Sequence, residues 1–324
     1  MSGLAGKTKA YRTFLWLALL LLFLLAGCDV ELEAPDYSTE AEAAEETTTA
    51  TGAELTPSVV LRPEAPGLCA VNSAEAEIDW SNASDGYVML RYTAETGALL
   101  RARIVGPGTT CTFSVTPGEW SVLPLTEGSG TYEAILYIQA DGSRYATVLN
   151  AVFDAEIKDE FAPFLRPNDY VDYVDAPRTV ELAAELAAGR EETLDIVSAV
   201  YRYVVENIAY DEELAATVDA GYTPELDSVL EKGSGICFDY AALCSAMLRC
   251  RSIPCKLVTG YAGEAFHAWI SVWTEESGWV DQLYFSDGDS WCRLDPTFDS
   301  SANRSDSIVE YIGDGSNYEE IYVY

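Results

Sequence analysis

Six short runs between residues 77 and 149 mix β-branched, aliphatic and aromatic residues. They are Glu77–Trp80, Gly86–Tyr92, Ala102–Val105, Trp120–Leu123, Thr131–Ile138 and Ala146–Leu149. Turn-forming text separates them at Asn82–Gly86, Gly106–Gly108, Pro117–Gly118, Glu127–Gly130 and Asp141–Gly142. Regularly spaced short strands of this kind predict a small antiparallel β-sandwich over residues 57–157. A connector with Pro163 and Pro167 follows, over residues 158–177. The apolar period then changes to three and four. Arg178–Ala188 reads as a helix closed by Gly189, and Pro224–Lys232 as one closed by Gly233. Between them, Glu191–Ile208 carries Leu194, Val197, Tyr201, Val204 and Ile208 as one stripe. Cys237–Arg249 is apolar almost all round, which predicts a buried helix. Strand text resumes at Cys255–Tyr261, Ala265–Thr274, Trp279–Leu283 and Trp291–Leu294, with a hairpin turn at Ser286–Ser290. A buried helix running into antiparallel strands is an α+β pattern, here over residues 178–324.

The N-terminal pattern is of another kind. Lys7, Lys9 and Arg12 precede an unbroken apolar run from Phe14 to Gly27. Fourteen residues are too few to span a bilayer comfortably as a helix, and with the basic flank they read as a secretory signal over residues 1–27. The run ends Leu25-Ala26-Gly27-Cys28, which resembles a bacterial lipoprotein processing box. That resemblance implies cleavage before Cys28 and a lipid on its sulfur. Between residues 29 and 56 there are nine acidic residues and no Lys or Arg. Such a segment buries too little apolar surface to fold, and its charges extend it, so residues 28–56 are predicted to be a tether. The expectation is an exported protein, lipid-anchored to the cell membrane on its extracytoplasmic face.

Charge narrows the partners. The chain has 19 basic and 53 acidic residues, a formal net charge of −34. This argues against nucleic acid, which needs a basic surface, and against adhesion to anionic lipid through charged patches. It bears on solubility and partners, not on fold. Of eight cysteines, Cys69, Cys111, Cys244, Cys250, Cys255 and Cys292 have no role yet assigned. Export permits disulfides, and Cys69 with Cys111 could pair in the β-rich region; other connectivity stays open. The absence of any CxxC and the single histidine argue against structural zinc. Asp287 and Asp289 lie in a turn that lacks a full calcium ligand set. No metal and no cofactor is predicted.

The single histidine, His267, is the strongest chemical clue. It lies thirty positions after Cys237 and twenty-eight before Asp295. Imidazole is the side chain whose proton moves near neutral pH, and a thiol needs such a neighbour to become a strong nucleophile. Cys237 would open the buried helix, where unpaired N–H groups favour a thiolate. Asp295 would hold the far ring nitrogen and fix the tautomer. The Cys237 N–H is a natural oxyanion donor, with Tyr210 as a second candidate. Tyr240 is placed beneath or beside the nucleophile, and Trp269 in the core or walling the site. Arg249 is read as structural, paired with a helix-end carboxylate.

Several motifs occur in order: Gly235-x-Cys237-x-Asp239-Tyr240-Ala241, Leu248-Arg249-x-x-x-Ile253-Pro254, Gly260-Tyr261, His267-Ala-Trp269, Gly278-Trp279-Val280 and Asp295-Pro-Thr297. From about Asp195 onward the chain resembles the transglutaminase-like cysteine enzymes. The resemblance implies a papain-like α+β core, with Cys237, His267 and Asp295 as triad. It implies attack on peptide or protein amides through a thioester, ending in transfer or hydrolysis. The family also contains peptidases, deglycosylating relatives and members without activity. The alternative expectation is therefore a non-catalytic surface module that binds peptide or cell-wall material in the same cleft.

Overall fold

The computed structural model describes residues 57–219, 221–284, 291–301 and 317–324. The predicted signal and tether, with Cys28, and the Ser286–Ser290 turn, with Asp287 and Asp289, lie outside the described residues, as does the side chain of Cys292.

Eight strands build the N-terminal part: β1 (Ala70–Asn72), β2 (Ala76–Asp79), β3 (Tyr87–Tyr92), β4 (Leu100–Val105), β5 (Thr110–Val115), β6 (Ser121–Pro124), β7 (Gly130–Asp141) and β8 (Arg144–Ala155). They form two antiparallel sheets, ordered β1-β2-β3-β6 and β5-β4-β7-β8. Ile78, Val88 and Leu90 of the first sheet share a core with Ala102, Phe113 and Leu136 of the second. Trp80 stacks on Phe153 across them, with ring centroids 5.7 Å apart. β1 and β5 were not legible in the sequence. β5 buries only Phe113 and Val115, so its apolar signal is thin.

The Cys69–Cys111 pairing that the sequence left open is not made. Cys69 lies exposed just before β1, Cys111 sits in β5 of the other sheet, and both are free thiols. Cys237, Cys244, Cys250 and Cys255 are free as well.

The connector is packed, not loose. Val171 and Tyr173 are fully buried, and Asn168 uses its side chain to accept from the Tyr170 and Val171 N–H groups. Asp169 bonds β6 twice: its N–H donates to the Val122 carbonyl, and its carboxylate accepts the Val122 N–H at 2.6 Å. Burial pushes this carboxyl up to about 7, although the Val122 and Ser121 bonds oppose the rise. A folded value above the unfolded one (~3.9 for Asp) means that the folded state keeps a proton the unfolded chain releases. The stability this proton contributes is fully present below about pH 4 and fades as pH rises towards 7. Asp169→Asn keeps the acceptor and cannot ionise. Its urea midpoint is expected to exceed the parent's at pH 7.5 and to match it near pH 4; equal midpoints at both pH values would refute the assignment.

The C-terminal part contains α1 (Pro177–Ala187), α2 (Thr193–Asn207), β9 (Ala209–Tyr210), α3 (Glu212–Thr217), α4 (Leu226–Lys232), β10 (Ser234–Gly235) and α5 (Cys237–Arg249). Then come β11 (Cys255–Ala262), β12 (Ala265–Thr274), β13 (Gly278–Val280), β14 (Gln282–Tyr284), β15 (Trp291–Arg293), α6 (Pro296–Ser301) and β16 (Tyr318–Val323). Helix segregated from antiparallel sheet makes this an α+β fold. On α2 the buried stripe is Val197, Val200, Tyr201, Val204 and Ile208, while Leu194, expected to belong to it, is largely exposed. α5 is the central helix. It touches α1, α2, α4 and α6 on one side and β11 and β12 on the other, so it needs no polar face. The main sheet runs β13-β12-β11-β16, all antiparallel.

Arg249, at the end of α5, does not meet a carboxylate as expected. Its fully buried guanidinium donates to the main-chain oxygens of Cys255 (2.9 Å), Arg166 (2.8 Å) and Tyr324 (2.7 Å). These three oxygens need a planar fork, which arginine supplies.

Candidate active site

Cys237 is the first residue of α5 and is partly exposed. Its approach is set by two neighbours in the motif. Asp239 folds back so that its carboxylate accepts the Ile236 N–H at 2.8 Å, one reciprocal half of a capping box. The Tyr222 hydroxyl donates to the other oxygen at 2.7 Å. Burial pushes the Asp239 carboxyl up and these bonds oppose it, so the residue serves the helix terminus. Gly235 makes room for this turn: a Cβ there would lie 2.7 Å from the Asp239 Cβ. The parallel β9–β10 pair then sets Tyr210 opposite Gly235, beside the nucleophile.

His267 stands near the start of β12, across from Gly260 of β11, and is 7 % exposed. Its Nε2 donates to Oδ2 of Asp295 at 2.7 Å. Asp295 is fully buried and immediately precedes α6. Cys237 lies near enough to the imidazole to raise its pKa, and Nε2 is committed to Asp295. Burial is the largest influence on the ring and disfavours its charge. The Asp295 carboxylate, its hydrogen bond and the contact with Cys237 outweigh burial and push the imidazole up to about 10. At neutral pH the ring is therefore held as imidazolium, the partner a thiolate requires.

The remaining predicted residues divide. Tyr210 lines the cleft, and its phenol is pushed up by burial and by the nearby Cys237 sulfur. Tyr240 does not wall the cleft: it is fully buried, and its hydroxyl donates to the Ile208 carbonyl and accepts from Ser300. Trp269 is also fully buried, stacked on the His267 ring with centroids 6.4 Å apart. It backs the imidazole from behind the site. Tyr318 was missed by sequence reasoning. Its hydroxyl donates to Asp295 Oδ2 at 2.9 Å. The run Tyr318-Glu-Glu-Ile-Tyr-Val-Tyr324, rich in aromatic and β-branched residues, was a legible strand signal, but nothing in it announced that partner.

Cys237 and His267 line a cavity of about 590 Å³, while Asp295 lies buried behind the imidazole. The cavity walls are rich in aromatic rings, with Tyr210, Tyr222, Phe238, Phe266 and Tyr322 among them, and among the described residues Asp219 is the one carboxylate in the lining. The β-rich part forms part of this wall's support. Tyr170 donates to the Thr112 carbonyl of β5 and packs on Phe113, Phe238 and Tyr324, with centroids 5.1, 5.0 and 4.8 Å away. Gly221, in the cleft loop, has φ +108°, and a Cβ there would lie 2.1 Å from the Ser114 Oγ of β5. Among the described residues no group of three or more His, Cys, Asp or Glu is placed to hold a metal ion.

Comparison with known proteins gives a consistent result. Residues 180–296 match the family model of the transglutaminase-like superfamily. A Pseudomonas aeruginosa protein named protein-glutamine gamma-glutamyltransferase is 28 % identical over 149 residues, 41 % of this chain. The match spans only 20 % of that relative's length. A solved structure from Cytophaga hutchinsonii, described as a candidate cysteine protease, covers 74 % of this chain and 83 % of its own at 16 % identity and TM-score 0.37. Red sea bream transglutaminase covers 69 % of this chain and 53 % of its own at 13 % identity and TM-score 0.28. Both structural likenesses are too distant to carry an argument. Residues 180–296 therefore form a transglutaminase-like segment.

Proposed function

We propose that this protein is a cysteine-dependent acyltransferase or hydrolase acting on peptide or protein amides. The observation that carries the reading is the 2.7 Å bond between His267 Nε2 and Asp295, on an imidazole that lies near Cys237 at a helix N-terminus. In this reading the Cys237 thiolate attacks the amide carbon, and the charge that develops on oxygen is met by the Cys237 N–H, with the Tyr210 hydroxyl within the same cleft. The C–N bond breaks as His267 gives its proton to the departing amine. A water or a second amine then attacks the thioester, losing its proton to His267 and returning the thiolate.

The cleft chemistry favours a neutral acyl donor. Aromatic walls suit an uncharged carboxamide stem, and the Asp219 carboxylate repels an anionic one. The name of the Pseudomonas aeruginosa relative suggests glutamine carboxamide as the first donor to test.

The test measures ammonia released from glutamine-containing peptides, with and without a primary amine, before and after alkylation of Cys237. Release that depends on a free Cys237 thiol is expected, and incorporation of the amine separates transfer from hydrolysis. Release that persists once Cys237 is blocked sinks the proposal. No release, with an inert Cys237, would favour the binding-module alternative.

A further inference from the structure

We infer that Tyr318 is a positioning residue for His267, acting through Asp295 and Trp269; the inference rests on the catalytic reading above. One oxygen, Oδ2 of the fully buried Asp295, takes both the His267 Nε2–H at 2.7 Å and the Tyr318 hydroxyl at 2.9 Å. An ionised carboxylate only accepts, so the phenol is the donor. Each donor on that oxygen restrains the carboxylate about its Cβ–Cγ bond. The second donor fixes the plane that the imidazole reads.

The ring of Tyr318 does a second job. It meets Trp269 edge-on, with centroids 5.1 Å apart and planes at 85°, and Trp269 in turn lies parallel to the His267 ring. The imidazole is thus held in its plane by Asp295 and across it by Trp269, and Tyr318 touches both. The arrangement depends on a close approach of β16 to β11. Tyr318 pairs with Ala262, and the register shifts between Thr259 and Gly260. At Gly260 a Cβ would lie 1.9 Å from the Glu319 carbonyl oxygen and 3.0 Å from the Trp269 ring. Glycine opposite His267 is what lets β16 deliver its tyrosine.

Partners that orient a catalytic imidazole indirectly matter by about 10-fold or more when removed. The full chain has one histidine, so its imidazole gives an unambiguous nuclear magnetic resonance signature without any substrate. Tyr318→Phe keeps the ring and removes only the hydroxyl. The expected results are an upfield move of the low-field His267 Nε2–H proton and a fall of about 10-fold in the rate at which iodoacetamide modifies Cys237, mapped by peptide mass spectrometry. In an Asp295→Asn background the same change should cost nothing more, because its route to the imidazole is already broken. An unmoved proton, or costs that simply add in the double variant, overturns the inference. Should Tyr318→Phe fold poorly, the proton signal of the parent with fluorinated tyrosine replaces it; no movement there overturns the inference equally. Failure of the catalytic reading would appear separately, as a Cys237 that never turns over amide while the proton shift remains.

Discussion

Cys237→Ala is expected to remove amide turnover by about 10⁵–10⁶-fold, and Asp295→Asn by about 10⁴-fold, with folding intact in both. The first number reflects the loss of the atom that bonds to the acyl carbon. The other thiols of α5 and its neighbourhood cannot replace it: Cys244, Cys250 and Cys255 are buried in the core, and burial pushes all three upward. The second number reflects the tautomer. Asn at 295 can present an N–H to His267 Nε2, which turns that nitrogen into an acceptor and places the ring proton on Nδ1. A ring so protonated cannot take the proton of the incoming water. It also loses the carboxylate that offsets burial of its charge. Because the three groups act as one unit, the double variant should be no slower than Cys237→Ala alone. Initial rates of ammonia release at matched protein concentration check this. Asp295→Asn that retains more than a tenth of parental activity would show that the carboxylate is not part of the machinery.

The largest effect on stability is expected at Arg249, far from the chemistry. Arg249→Met keeps most of the side-chain volume and deletes every donor. It leaves the main-chain oxygens of Cys255 and Arg166 facing an apolar side chain, and that of Tyr324 with only the Leu257 N–H. A buried acceptor left unsatisfied costs about 1–3 kcal/mol, so the loss should be about 3–5 kcal/mol after relaxation. That is a large share of the ~5–15 kcal/mol by which ordinary domains are stable. Burial lowers the guanidinium to about 10, which still leaves it charged at neutral pH. Lysine should not rescue the site, since one ammonium cannot address three oxygens set around a planar fork. Arg91 provides the contrast. Its 3.0 Å pair with Glu77 is about one-third exposed on both sides, and Arg91→Met should cost under ~1 kcal/mol. Urea unfolding of the two variants side by side decides the matter: a loss at Arg249 no larger than at Arg91 would mean that the three oxygens find other partners.

Much of the C-terminal fold was legible because its elements are long and carry clear periods. The predicted Arg178–Ala188, Pro224–Lys232 and Cys237–Arg249 correspond to α1, α4 and α5, and both long strands of the main sheet were placed within a residue or two. Shorter elements were missed where local signal is weak. β9 and β10 are two residues each and exist only because the chain crosses itself beside the nucleophile. The expected Arg249–carboxylate pair failed for a related reason: the sequence announces a cation, but not which buried acceptors surround it. Tyr240 was read as packing beneath or beside the nucleophile and Trp269 as core or site wall; neither faces the cleft. A residue three positions along a helix, or two along a strand, faces wherever packing directs it, and both turned inwards.

By itself the sequence determined the residue types that can do this chemistry. One imidazole, a cysteine set to open a helix and an aspartate before proline are local facts, fixed by helix termini and strand periods. Only the tertiary structure decided which oxygen of Asp295 meets the ring, that Tyr318 shares it, and that Ser114 of the β-rich part abuts the cleft loop at Gly221. Those contacts join residues tens to more than a hundred positions apart. They are set by how sheets and helices pack once formed, which no local period encodes.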